Sequence, residues 1–106
     1  MIMSSSTEIA AVCFALGLRA VDTGGGHGAY ESESIVDRDR GFDTFVSVTS
    51  SEGECPDSWD DILVTVYCDQ HSEPLRTFDC ALDRWSCDSL TNAVSSAFEF
   101  CRRGDL

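Results

Sequence analysis

The sequence predicts an α+β domain in which an antiparallel sheet of four or five short strands carries N- and C-terminal helices packed on one face. Apolar residues recur at helical spacing near both ends of the chain, and β-branched or alternating stretches fill its middle. Two amphipathic helices covering one face of an antiparallel sheet is the simplest arrangement that buries all of these residues. We therefore expect residues 1–106 to form a single domain, since this length is near the common domain size.

The first predicted element is a helix that begins near Ser5. Ser5 and Glu8 have the S-x-x-E spacing of a capping box, in which both side chains satisfy backbone N–H groups at a helix start. The apolar stripe that follows, at i, i+3, i+4 and i+7, consists of Ile9, Val12, Cys13 and Leu16. Gly17 suits the left-handed residue after the last turn. Because no positive segment precedes this stretch, we expect a cytoplasmic helix and not a secretory signal.

Five stretches in the middle of the chain have the composition of β-strands. They cover residues 18–21, 29–36, 42–49, 62–68 and 75–79. In the third stretch, one face carries Phe42, Thr44, Val46 and Val48. The fourth, ILVTVYC, has the strongest β character, so we expect it to be central. The uncovered sheet face is expected to be solvated and acidic, because Glu31 and Glu33 alternate along the second stretch.

The segment VDTGGGHG at residues 21–28 has three possible interpretations. As a hairpin turn, its glycines supply positive φ while Asp22 and Thr23 bond to the turn backbone. As a phosphate loop, it lacks the Lys-Ser/Thr pair and precedes a strand instead of a helix. As the Asp-Thr-Gly of a homodimeric aspartic protease with catalytic Asp22, it lacks that family's preceding strands and late supporting glycine. The hairpin turn is the preferred interpretation.

A second amphipathic helix closes the chain. Asp88 stands at the predicted N-cap. The apolar stripe behind it consists of Leu90, Ala93, Val94, Ala97, Phe98 and Cys101. Arg102 and Arg103 follow where the helix dipole favours cations.

The cysteines and histidines do not form a recognisable catalytic or metal-binding pattern. The six cysteines, at 13, 55, 68, 80, 87 and 101, include no C-x-x-C pair and no cysteine–histidine pair at zinc spacing. We expect reduced thiols, with Cys13, Cys68 and Cys101 buried and Cys55 the most exposed. No metal, no cofactor and no enzymatic activity is expected.

Charge is the strongest functional signal. The formal net charge is −12, from nineteen acids and seven basic residues. Such a chain repels nucleic acid and anionic membranes and attracts basic partners. Residues 31–61 alone carry ten acids against two arginines, so the acids are concentrated in the middle of the sequence. These ten are the candidate partner-binding residues: Glu31, Glu33, Asp37, Asp39, Asp43, Glu52, Glu54, Asp57, Asp60 and Asp61.

A row of carboxylates on a rigid sheet can imitate the phosphates of a nucleic acid. Side chains at i and i+2 of a strand are about 6.6–6.8 Å apart, close to two phosphate steps along one DNA strand. Such a row can occupy a basic channel that normally holds nucleic acid. The alternative is an intracellular protein-interaction domain whose acidity is an adaptation of the halophile type and which inhibits nothing.

With its small size, strong acidity and acidic middle region, the chain resembles small phage-borne inhibitor proteins, anti-CRISPR proteins in particular. Many members of that group are acidic single α+β domains, and several block binding of target DNA by DNA mimicry. The resemblance implies a non-enzymatic inhibitor in the host cytoplasm that binds the basic nucleic-acid-binding surface of a CRISPR effector. The group shares no motif, so the resemblance assigns no individual residue.

Overall fold

The computed structural model describes residues 4–36, 41–68, 73–79 and 84–103. In chain order the elements are α1 (Ser5–Ala15), β1 (Arg19–Gly24), β2 (His27–Glu31), β3 (Thr44–Thr49), β4 (Leu63–Cys68), β5 (Glu73–Phe78) and α2 (Cys87–Arg103). The five strands form one sheet in the order β1-β2-β3-β4-β5, and every neighbouring pair is antiparallel. The α+β prediction is confirmed. β4 lies inside the sheet, but the middle strand is β3.

The hydrophobic core lies between one face of the sheet and the two helices. On β3 and β4 the buried face carries Val46, Val48, Val64 and Val66, all without exposed surface. The helices contribute the predicted stripes, with the fully buried residues Ile9, Cys13, Leu90, Val94, Ala97 and Cys101 in the same cluster. Period-two alternation in the strands and 3.6-residue periodicity in the helices therefore point to one common core.

α1 begins one residue earlier than the capping-box prediction requires. Ser4, and not Ser5, is the N-cap, and its hydroxyl accepts a hydrogen bond from the Thr7 N–H at 3.3 Å. At the other end, Gly17 has a φ of +88°, and the N–H of Leu18 donates to the carbonyl of Cys13 at 2.9 Å. This is the Schellman geometry that the glycine predicted.

α2 starts two residues before the prediction. The helix begins at Cys87, and Ser86 caps it by accepting a hydrogen bond from the Ser89 N–H at 3.1 Å. The Ser89 hydroxyl in turn accepts from the Ser86 N–H at 2.8 Å. Asp88 lies inside the first turn and is not the cap.

The glycine-rich segment forms the predicted hairpin turn between β1 and β2. Gly25 and Gly26 connect the strands with φ values of +63° and +83°, the positive pair that a type I′ turn requires. The exposed carboxylate of Asp22 accepts a hydrogen bond from the Gly24 N–H at 2.8 Å, beside a register shift in the strand pair. Asp22 therefore stabilises the turn, as the hairpin interpretation predicted.

The second predicted strand, 29–36, is shorter than expected because it contains a bulge. β2 starts at His27 and ends at Glu31. Ser32 still bonds to Val46 and Ile35 bonds to Thr44, so residues 33 and 34 together stand opposite Phe45. The Ser32 hydroxyl accepts the Val46 N–H at 2.9 Å in place of a backbone carbonyl. A bulge of this kind ends the regular alternation of side chains.

Candidate protein-binding site

The β3–β4 loop, residues 50–62, is the most densely acidic part of the described structure. It carries Glu52, Glu54, Asp57, Asp60 and Asp61 between two interior strands. The first three side chains are exposed. Glu52 and Glu54 flank Gly53, whose φ of +77° marks a tight turn at the end of β3.

The loop is folded on itself through hydrogen bonds from its own serines. The Ser50 N–H donates to the Glu54 carbonyl at 2.7 Å, and the Ser50 hydroxyl accepts from the N–H groups of Glu52 and Glu54 at 3.3 and 3.2 Å. Further along, the Asp61 carboxylate accepts from both the N–H and the hydroxyl of Ser51, at 2.9 and 3.0 Å. The backbone that carries the exposed acids is therefore structured. Such a loop would lose little conformational entropy if a partner bound to it.

Trp59 fixes the loop to the body of the protein. Its side chain is only 7% exposed, and its indole N–H donates to the carboxylate of Glu8 in α1 at 3.4 Å. The Trp59 carbonyl accepts the N–H of Trp85, which is also buried. Both tryptophans are therefore core residues.

Two of the candidate acids already have partners within the protein. Asp60 forms an ion pair with Arg84 at 3.2 Å, with both side chains mostly exposed. Asp61 is half-buried and holds Ser51 as described above. These two acids support the shape and charge of the loop, whereas the side chains of Glu52, Glu54 and Asp57 are exposed to solvent.

The other candidate acids lie outside this loop. Glu31 ends β2 and Glu33 is exposed in the bulge that follows. Asp43 is half-buried just before β3, at the opposite end of that strand from the acidic loop. Asp37 and Asp39 lie outside the described residues. The acids of the described residues therefore lie in separate groups, at the end of β2, before β3 and in the β3–β4 loop.

The open face of the sheet, which the helices do not cover, is mainly hydroxylic and aromatic, contrary to the acidic face expected. Strand register places five side chains in one row across this face: Arg19, Glu31, Ser47, Thr65 and Thr77. Glu31 is the only acid that the described strands place in this row. Beside the row, Phe45 and Tyr67 pair across β3 and β4 and stack, with ring centroids 5.5 Å apart and planes at 22°.

A recess of about 350 Å³ lies in this open face. It is lined by Glu31 from β2, by Phe45, Ser47 and Thr49 from β3, by Tyr67 from β4 and by Gly53 from the acidic loop. We call it the open-face recess. Because Gly53 lies between Glu52 and Glu54, the recess joins the sheet face to the acidic loop. The sequence patterns did not predict this recess, although alternation along β3 places Phe45 on the other face from the buried valines.

A second depression, of about 560 Å³, lies beside the β1–β2 hairpin, and Asp22, His27, Glu54 and Cys55 are among its lining residues. Burial raises the pKa of the Cys55 thiol, and a hydrogen bond with Tyr30 only partly opposes this. The thiolate is therefore disfavoured at neutral pH. Gly28 packs closely here, since a Cβ at its position would lie 3.2 Å from the Cys55 sulfur.

The described cysteines are free thiols, as expected for Cys13, Cys55, Cys68, Cys87 and Cys101. The first, third and fifth of these are buried, which confirms the prediction for the apolar faces. Cys55 is only half-buried, however, and Cys87 is the exposed one. Cys80 and His71 lie outside the described residues.

Within the part of the chain that the structure covers, no three histidine, cysteine or acidic side chains are grouped closely enough to hold a metal ion. Neither described helix is long and apolar enough to span a membrane. No protein-family model, no curated protein and no solved structure matches this chain. Its candidate site is therefore interpreted from its own residues.

Proposed function

We propose that this protein is a non-enzymatic inhibitor of the anti-CRISPR type. It binds the basic nucleic-acid-binding surface of a CRISPR effector complex and prevents that surface from binding target DNA. The observation that carries the proposal is the β3–β4 loop, in which exposed carboxylates are attached to a hydrogen-bonded backbone anchored by a buried tryptophan.

Charge and rigidity together support this kind of binding. A basic channel for DNA concentrates lysine and arginine, and an acidic partner releases the same counterions that DNA releases. A flexible acidic tail loses conformational entropy when it binds, whereas a preformed loop loses little. The chain combines a net charge of −12 with such a loop, so it can compete with DNA for a cationic surface.

The mimicry proposed here differs in geometry from a row of carboxylates along one strand. Glu52, Glu54 and Asp57 lie on the loop, and Glu31 lies beside it on the sheet across the open-face recess. A partner that contacts the recess and the loop together meets acids from both elements. Electrostatic attraction brings the partner to this side of the protein, and local contacts set the binding geometry.

The test is capture of partners from a bacterial lysate that contains CRISPR effectors, with washes at low and high salt and identification by mass spectrometry. The expected result is an effector retained at low salt and displaced by its target DNA. Purified effector and labelled DNA should then give competitive inhibition of DNA binding. The proposal is wrong if folded protein retains no nucleic-acid-binding partner and leaves DNA binding by the effectors unchanged.

A further inference from the structure

We infer that the open-face recess receives an arginine side chain of the basic partner, with its guanidinium against the Phe45 and Tyr67 rings and close to Glu31. This inference deepens the proposed function and rests on its claim that the partner is basic. It identifies where the partner's most specific contact lies, which the acidic loop alone does not.

The aromatic pair gives the recess a surface that favours a flat cation. Phe45 and Tyr67 are half-buried and stacked, so their ring orientation is fixed before a ligand arrives. A guanidinium group is planar, weakly hydrated and attracted to the face of an aromatic ring, typically within about 6 Å of the ring centroid. A lysine ammonium is more strongly hydrated and lacks the planar shape.

The polar lining matches the donors of the same group. Glu31 supplies a carboxylate, and Ser47 and Thr49 supply hydroxyl oxygens on the strand that also carries Phe45. Arginine carries five N–H donors in a fixed fork, which suits one carboxylate together with neighbouring hydroxyls.

The recess has room for a single long side chain, since its volume is about 350 Å³. Its open side faces away from the helices, so a side chain carried on another protein's surface can enter. Glu52 and Glu54 flank the Gly53 border and add negative potential there.

The protein uses the same chemistry internally on its helical side. The Arg76 guanidinium lies over Phe78 and Phe100, 4.8 and 5.5 Å from their ring centroids, and Arg102 lies 5.7 Å from that of Phe98. Within the described segments, the arginines that lie over aromatic rings are all on this helical side.

The inference can be tested without the effector, using the blocked peptide Gly-Arg-Gly as the probe. Titration is followed by NMR of the Phe45 and Tyr67 ring signals, with Gly-Lys-Gly and Gly-citrulline-Gly as matched peptides. We expect saturable shifts of both rings with arginine, binding at least threefold weaker with lysine, and no saturation with neutral citrulline. Equal binding of arginine and citrulline, or shifts confined to the acidic loop, would overturn the inference.

Substitutions on the protein give the second arm. Replacing both Phe45 and Tyr67 by leucine should weaken binding of the arginine peptide at least fivefold, whereas Tyr67→Phe, which keeps the ring, should leave it within twofold. Unchanged binding by the double variant overturns the inference. If the double variant is unfolded by circular dichroism, the single Tyr67→Leu variant replaces it, with a loss of at least threefold expected.

The two proposals fail in different ways. If the recess is not the arginine site, an effector is still captured through the loop, but the peptide does not shift the rings. If the protein is not an inhibitor of nucleic-acid binding, the peptide still binds in the recess, but no effector is captured and DNA binding is unaffected.

Discussion

Cys13 is a fully buried thiol of α1 that has no role in the proposed binding. Burial raises its pKa from 9.0 to about 12, and the Cys55 thiol contributes further to the rise. The unfolded chain therefore loses this proton at lower pH than the folded protein does. The stability that the protonated thiol contributes is complete below pH 9 and is lost as the pH rises from 9 towards 12.

We predict that the free energy of unfolding falls steeply with pH in this window and that Cys13→Ala makes the decline shallower. One proton bound only by the folded state gives a slope of about 1.4 kcal/mol per pH unit. Denaturant unfolding at intervals between pH 8 and 11 measures the slope. The exposed Cys87 is the matched control, and Cys87→Ala should retain the steep decline. An identical slope in wild type and Cys13→Ala would disprove this account of the thiol.

The caps show what sequence can predict at the scale of one residue. The start of α1 was predicted to within one residue and that of α2 to within two, but the capping side chains were wrong. The run SSST at 4–7 and the segment 86–89 each offer several hydroxyl or carboxylate oxygens that can cap. Sequence spacing cannot choose among them, because the choice depends on where the preceding chain enters the helix.

At the scale of elements, the β3–β4 loop is where sequence and structure differ most. Its polar composition predicted a loop and left open whether Trp59 is a core or a contact residue. The structure buries Trp59 and ties the loop through Ser50, Ser51 and Asp61. The sequence alone does not show whether a tryptophan among acids is buried or exposed. Burial of Trp59 requires a partner for its indole N–H, and that partner, Glu8, comes from α1, which is distant in the sequence.

We predict that Asp61→Ala loosens this loop. Its carboxylate accepts two hydrogen bonds from Ser51, so the loss should cost about 1–3 kcal/mol of unfolding free energy and increase amide exchange at residues 50–54. Asp57→Ala is the control, because that side chain is exposed, and the change should stay within about 0.5 kcal/mol. Equal exchange and stability in the two variants would show that the loop does not depend on Asp61.

At the scale of the whole molecule, the order of elements and the shared core were predictable from periodicity. The alternation placed Phe42, Thr44, Val46 and Val48 on one face; the last three are fully buried and Phe42 is half-buried. The character of the open face was not predictable, because the bulge after Ser32 interrupts the alternation that placed Glu31 and Glu33 together. The aromatic pair was overlooked because its cross-strand register depends on the length of the β3–β4 connection.

The function depends on whether acidity acts at one place or over the whole surface. A local binding site depends on acids at particular positions. Adaptive acidity of the halophile type depends only on how many acids the surface carries. Exposed charges are screened over about 3 Å in 1 M salt, so a complex held by such acids should dissociate there. A domain with merely adaptive acidity should instead gain stability in molar salt.

The most direct test compares two pairs of charge reversals with the same change in net charge. In one variant, Glu52 and Glu54 of the acidic loop are both replaced by arginine. In the other variant, arginine replaces the exposed Glu73, which begins β5, and the exposed Asp79, which follows it. The measurement is inhibition of target-DNA binding by a captured effector at fixed low salt. We predict at least a tenfold loss for the loop variant and less than a threefold loss for the β5 variant. Equal losses, or full inhibition by the loop variant, would contradict an inhibitory site on the β3–β4 loop.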